Sequence, residues 1–170
     1  MMMAEKSTTL GDLFLGELRD IYDAEKQLVK ALPKLAKIAS NPELRSGIEE
    51  HLNQTKEHVT RIEEVFDLLG AKHQGRKCVG IQGILTEGND TVGDIESGTP
   101  AQDAALIYSA QKVEHYEIAT YGALCSWANL LGHDKAAALL HRTLDEERAA
   151  NTKLSQLATS SINAQALQAA

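Results

Sequence analysis

One face of a long helical pattern carries two acids that a protein core does not leave unpaired. Between about Pro100 and Leu131, steps of three and four pick out Ile107, Ala110, Glu114, Glu117, Tyr121, Leu124, Ala128 and Leu131. That spacing lines one side of a helix. Glu114 and Glu117 are the only charged members, and no Lys or Arg shares their row. A carboxylate rarely faces a core without a partner, so a bound metal is the leading candidate for neutralising them.

Three further stretches repeat the arrangement. A helix starting near Thr8 or Thr9 turns Phe14, Leu18, Ile21, Glu25, Leu28, Leu32, Leu35 and Ala39 inward, with Glu25 the single charge. Pro33 lies inside this pattern and predicts a kink there. Ser40-Asn41-Pro42-Glu43 stops that helix and starts the next. The second helix runs to Leu69 before Gly70, with Ile48, His51, Thr55, His58, Ile62, Val65 and Leu69 inward. Leu52, Val59 and Phe66 widen its stripe into an apolar flank. Thr99-Pro100-Ala101-Gln102 is a capping box that opens the Pro100–Leu131 helix, and Gly132 closes it. The last helix runs from about Asp134 towards Ser160, with Ala137, Leu140, Leu144, Glu147, Asn151, Leu154 and Ala158 in its row.

The segment from Ala71 to Thr99 is looser. A short basic loop, His73 to Cys78, precedes a weaker stripe of Ile81, Ile84, Leu85, Val92 and Ile95. A connection of this length fits the long crossover of a bundle, carrying a short helix of its own. Glu87, Asp90, Asp94 and Glu96 read as its solvated face. The expected fold is all-α: one domain spanning residues 1–170, with residues 1–8 and 161–170 fraying.

Register arithmetic asks whether the polar interruptions meet. Helices joined near Asn41 are antiparallel, so level residues sum to about 81, which places Glu25 between Thr55 and His58. For the pair joined near Gly132 the sum is about 265, which puts Glu114 level with Asn151 and Glu117 within a residue of Glu147. The acids therefore share one height near mid-bundle, with His51 about one turn away. Carboxylates and imidazole gathered there suit two divalent ions such as iron or manganese. The metal-ligand set is Glu25, His58, Glu114, Glu117 and Glu147, with His51, Gln54 and Asn151 as outer candidates.

Composition narrows the partners. A net charge of -7 argues against nucleic acid or an anionic membrane. The N-terminus lacks the apolar region of a secretory signal, and two Cys do not make a disulfide framework. A cytoplasmic protein with reduced thiols is expected. Cys78 follows Arg76 and Lys77, a setting that can lower a thiol pKa, although a lone exposed Cys is usually not a redox centre. His115 lies off the inward row beside Glu114. His73, His133 and His141 fall in turns or off the row. Cys125 and Trp127 pack against other helices or a partner subunit, and Gly122, mid-helix, suggests a close helix approach.

Glu114-His115-Tyr116-Glu117, with Tyr22-Asp23-Ala24-Glu25-Lys26-Gln27-Leu28 upstream and Arg76-Lys77-Cys78 between, resembles the bacterial YciE/YciF stress-protein family. The resemblance runs from about Leu10 to Leu157. It implies a ferritin-like four-helix bundle, a cytoplasmic homodimer, stress-linked expression and a rubrerythrin-like dimetal site. The acids it carries over are Glu25, Glu114, Glu117 and Glu147. One departure is plain: ferritin-like sites use Glu-x-x-His on two helices, and none occurs in this chain. Thr55 and Gln54 precede His58, and Asn151 stands where an acid would suit a hard cation.

Two classes of function follow. In the first, the protein binds iron or manganese and reacts with oxygen or peroxide, as a rubrerythrin-like oxidoreductase or peroxidase. In the second, it is a metal-free bundle that acts through its homodimer or a partner in stress response, without turnover.

Overall fold

Helix breaks fall at the stop signals. The computed structural model describes residues 8–169. Its helices are α1 (Leu10–Ile38), α2 (Pro42–Leu68), α3 (Val79–Gly93), α4 (Pro100–Leu130) and α5 (Asp134–Leu157). A π-helical stretch, Ala158–Ile162, then leads into α6 (Asn163–Gln168). The side chains of Thr9, Asn41 and Thr99 cap α1, α2 and α4 by accepting first-turn backbone N–H groups. Gly70 and Gly132 end α2 and α4 with φ of 63° and 76°, a conformation most side chains avoid. α1 runs on through Pro33 to Ile38 as one helix.

α1, α2, α5 and α4 form a four-helix bundle in which each packs against the next around the square. Cross-bundle pairs fix the directions. Phe14 stacks on His133, while Ser40 and Asn41 at the other end of α1 donate to Asp103 of α4. Glu50 meets Lys153, and Arg61 meets Thr143. Neighbouring helices are therefore antiparallel, which leaves α2 and α4 parallel and diagonal. A chain leaving the foot of α2 must climb the whole bundle, about 40 Å at 1.5 Å per residue, to begin α4. This is why residues 69–99 are long, and α3 makes the climb packed on α4 and α1. The fold is the ferritin-like four-helix bundle with a short helix in its crossover.

The inward rows are buried as their spacing requires, from Phe14, Leu18 and Ile21 to Leu124, Ala128 and Leu140. Four expectations change. The end of the chain stays helical to Gln168 rather than fraying, because Ala158 and Ile162 are buried against the bundle. Phe66 leaves the expected flank for the core, edge-on to Tyr22. A Cβ at Gly122 would meet nothing within 4 Å, so among the described residues no helix approaches closely there. The close approach is instead at Gly80, where a Cβ would stand 2.8 Å from the Tyr116 ring. Last, Cys78 is buried rather than exposed. It caps α3 with its sulfur 3.0 Å from the Tyr116 hydroxyl, and burial, then the Asp20 carboxylate accepting from the S–H, push its thiol pKa up.

Candidate metal centre

All four helices of the bundle deliver an acid or an imidazole to one enclosed volume. Glu25, Thr55, His58, Glu117 and Glu147 have no exposed surface, and Glu114 and His51 are nearly as enclosed. Two donor groups form there. In one, ligand atoms of His51, Glu114, Glu117 and Glu147 all lie within 4.8 Å of one another; in the other, those of Glu25, His58 and Glu147 do. Glu147 belongs to both.

His58 faces carboxylates at both ring nitrogens. Nε2 lies 2.9 Å from Glu146 Oε2 in hydrogen-bond geometry, while Nδ1 lies 2.9 Å from Glu147 Oε1 and 3.4 Å from Glu25 Oε1. Nδ1 makes a hydrogen bond with neither. An imidazole whose outer N–H is fixed by a carboxylate presents its other nitrogen as a metal ligand. The fixing carboxylate is itself anchored: Glu146 accepts from the buried Arg61 guanidinium at 3.0 and 3.3 Å, and Arg61 also donates to Thr143 at 2.6 Å. Burial works against its charge, yet bonds from Arg61 and His58 hold the Glu146 carboxyl below its ordinary range.

His51 lies in the layer rather than a turn outside it. Its Nε2 is 3.2 Å from Glu114 Oε1 and 3.8 Å from Glu147 Oε2. Glu25 keeps one oxygen for the Tyr121 hydroxyl, which donates to it, and the other has no partner. Thr55 turns its hydroxyl to the His51 carbonyl, 2.8 Å away. Asn151 accepts from Gln111 at 3.2 Å, and Gln54 borders an adjoining cavity. His115 is exposed and bonds the Gln111 carbonyl at 2.8 Å. Arg61, Thr143 and Glu146 are the residues that sequence reasoning missed. The Glu146-Glu147 doublet is the only signal that could have raised them.

The electrostatics record the strain of an acid cluster. Burial, then the charges of Glu147 and Glu25, hold Glu114 and Glu117 well above the ordinary carboxylate range. His58 pays the same burial penalty, but the Glu147 and Glu25 carboxylates beside Nδ1 push it up to about 10. Both oxygens of Glu117 and Glu147, and both ring nitrogens of His51, lack any hydrogen-bond partner among the described residues. Buried polar atoms are ordinarily satisfied, so this set fits a cationic occupant. Four carboxylates and two imidazoles would neutralise two dications and offer the mixed oxygen and nitrogen donors that iron and manganese accept.

Fold and centre together define a ferritin-like bundle protein with a buried carboxylate–histidine site. The chain belongs to the family described as a domain of unknown function, DUF892, whose model matches residues 9–167, and it is of the YciE/YciF type. It is 44% identical over 159 residues to Protein YciF of Escherichia coli, covering 93% of this chain and 95% of that one. The crystal structure of that E. coli stress protein superimposes with a TM-score of 0.87, covering 92% and 99% of the two chains at 44% identity. YcfI from Rhodopseudomonas palustris matches equally, at TM-score 0.87 and 45% identity over 91% and 98%. A Xanthomonas campestris protein at 20% identity shares the fold, with TM-score 0.75 over 94% and 98%. Among the described residues, no helix is long and apolar enough to cross a membrane.

Proposed function

We propose that this protein is a cytoplasmic stress-response protein that binds two divalent ions, iron or manganese, at mid-bundle. One site uses His51, Glu114 and Glu117, the other Glu25 and His58, and Glu147 is shared. The observation that carries this reading is the double donor set built from buried atoms without partners. Bound iron or manganese would supply one-electron chemistry toward oxygen or peroxide, the rubrerythrin-like activity. The chain's own part is to enclose the acids, hold His58 through Glu146 and Arg61, and place the Tyr121 hydroxyl against Glu25. The same Tyr121 contact can pass a proton to or from the Glu25 carboxyl.

Elemental analysis of protein purified without chelator tests the reading, together with melting curves of parent and Glu114→Ala, each with and without iron or manganese. Metal should stabilise the parent, and Glu114→Ala should lower its metal content. A parent indifferent to both metals would leave the metal-free bundle. Glu114→Ala would then be as stable as the parent or more so, because removing one buried acid relieves desolvation and repulsion.

Homodimer formation belongs to the same proposal. Leu130 is 75% exposed at the end of α4, and Leu52 and Val59 are half-covered on α2. A symmetric contact would bury such residues. Light scattering that shows only monomer at micromolar concentration rejects it.

A further inference from the structure

A cavity of about 630 Å³ opens between α2 and α5 and runs inward to His51 and Glu114. Its volume lies in the range of small-molecule sites, roughly 300–1,000 Å³, and is far beyond the roughly 30 Å³ share of one water. Oxygen or peroxide alone does not require such a space. The walls are aliphatic: Leu28, Leu32, Leu44, Ile48, Val113 and Leu154. Small residues on the facing helices, Gly47 of α2 with Ala149 and Ala150 of α5, leave the mouth unfilled. At the inner end His51 is 8% exposed, with neither ring nitrogen hydrogen-bonded. An apolar cleft ending on a few convergent polar groups is the form of a ligand site.

We propose that this cavity binds the linear hydrocarbon chain of a single-chain amphiphile with an uncharged polar head, such as an alcohol or an alkyl hydroperoxide. The head points to His51 and Glu114, and the chain lies along the leucine wall. Charge selects the head. Glu43 and Glu50 line the cavity against one cation, Lys153, which is already paired with Glu50 at 3.1 Å across the mouth, and among the described residues no other Lys or Arg lines it. An anionic head meets repulsion there. As a substrate channel this rests on the dimetal reading above; as a binding site it stands on the cavity alone.

The probe is 1-decanol, compared with decanoate, on the full chain, followed by ligand-detected NMR and by the melting temperature. The parent should bind 1-decanol saturably and decanoate more weakly. Gly47→Leu and Ala150→Leu, separately, should abolish saturable binding. A Cβ at Gly47 meets nothing within 4 Å, so the first variant should fold as the parent does, checked by circular dichroism. Loss of decanol binding in both variants with helicity intact supports the proposal. No saturable decanol binding by the parent overturns it, as does decanoate binding as tightly as decanol. If Gly47→Leu breaks up a dimer while decanol has no effect, the mouth is a contact between copies and the proposal fails. Metal content measured on the same samples separates the two readings: metal without decanol sinks only the channel, and decanol without metal sinks only the metal centre.

Discussion

His51 and His58 stand two turns apart on one face of α2, ring centroids 6.4 Å apart, and each faces a different oxygen of Glu147. One carboxylate thus divides two imidazoles between two sites. Removing His51 should therefore empty one site and spare the other, and removing His58 should do the reverse. Metal analysis of His51→Ala and His58→Ala is expected to give about half the parent's content, and Glu147→Gln markedly less than either. Equal and complete loss in all three would mean a single mixed site.

The four acids were legible because each sits in an otherwise apolar row, and a buried charge stands out against that background. His51 was misplaced by a turn because the layer was treated as one height. Glu114 and Glu117 are successive along α4, so the donors spread along the bundle axis, and His51 falls beside the outer member, 3.2 Å from Glu114. Arg61 and Glu146 were not legible: each flanks an inward residue and reads as solvated. Only the packing of α2 on α5 encloses them. The Gly122 inference failed because a helical glycine in sequence does not show what faces it, while Gly80 looked like a weak spot in a weak helix.

Glu146→Gln tests the outer support. The amide can still accept from His58 but no longer balances the buried Arg61 charge. Metal affinity should fall by about 10-fold, the low end of the effect of disturbing a group that orients a ligand, because a neutral acceptor supports the imidazole less than a carboxylate does. Isothermal titration with manganese reads it directly. Unchanged affinity would show that His58 needs no such orientation.

Two glycine substitutions should differ in sign. Gly122→Ala adds a methyl to open space within α4 and should stabilise by about 0.5–1 kcal/mol. Gly80→Ala must displace the Tyr116 ring from Cys78 and from Asp20, which accepts its hydroxyl at 3.1 Å. A loss of about 1–3 kcal/mol is expected from that overpacking. Denaturant midpoints of the two variants against the parent decide the matter.

Proton release should accompany metal uptake. Without metal, burial and then the neighbouring carboxylates keep Glu114 and Glu117 protonated well above the ordinary range, and His58, pushed up to about 10 by Glu147 and Glu25 in spite of burial, also holds its proton at neutral pH. All three shifts are upward in the folded chain. It therefore binds more protons than the unfolded one, and the metal-free protein loses stability as pH rises; for His58 the loss spans pH 6.5 to about 10. Ligating forms are deprotonated, so metal binding runs the other way and strengthens with pH. The melting-temperature increase produced by a fixed manganese concentration should accordingly grow between about pH 6 and 8, with protons released into a weakly buffered solution on mixing. An increase that is flat or shrinks over that interval would mean that the ions bind elsewhere than at these residues.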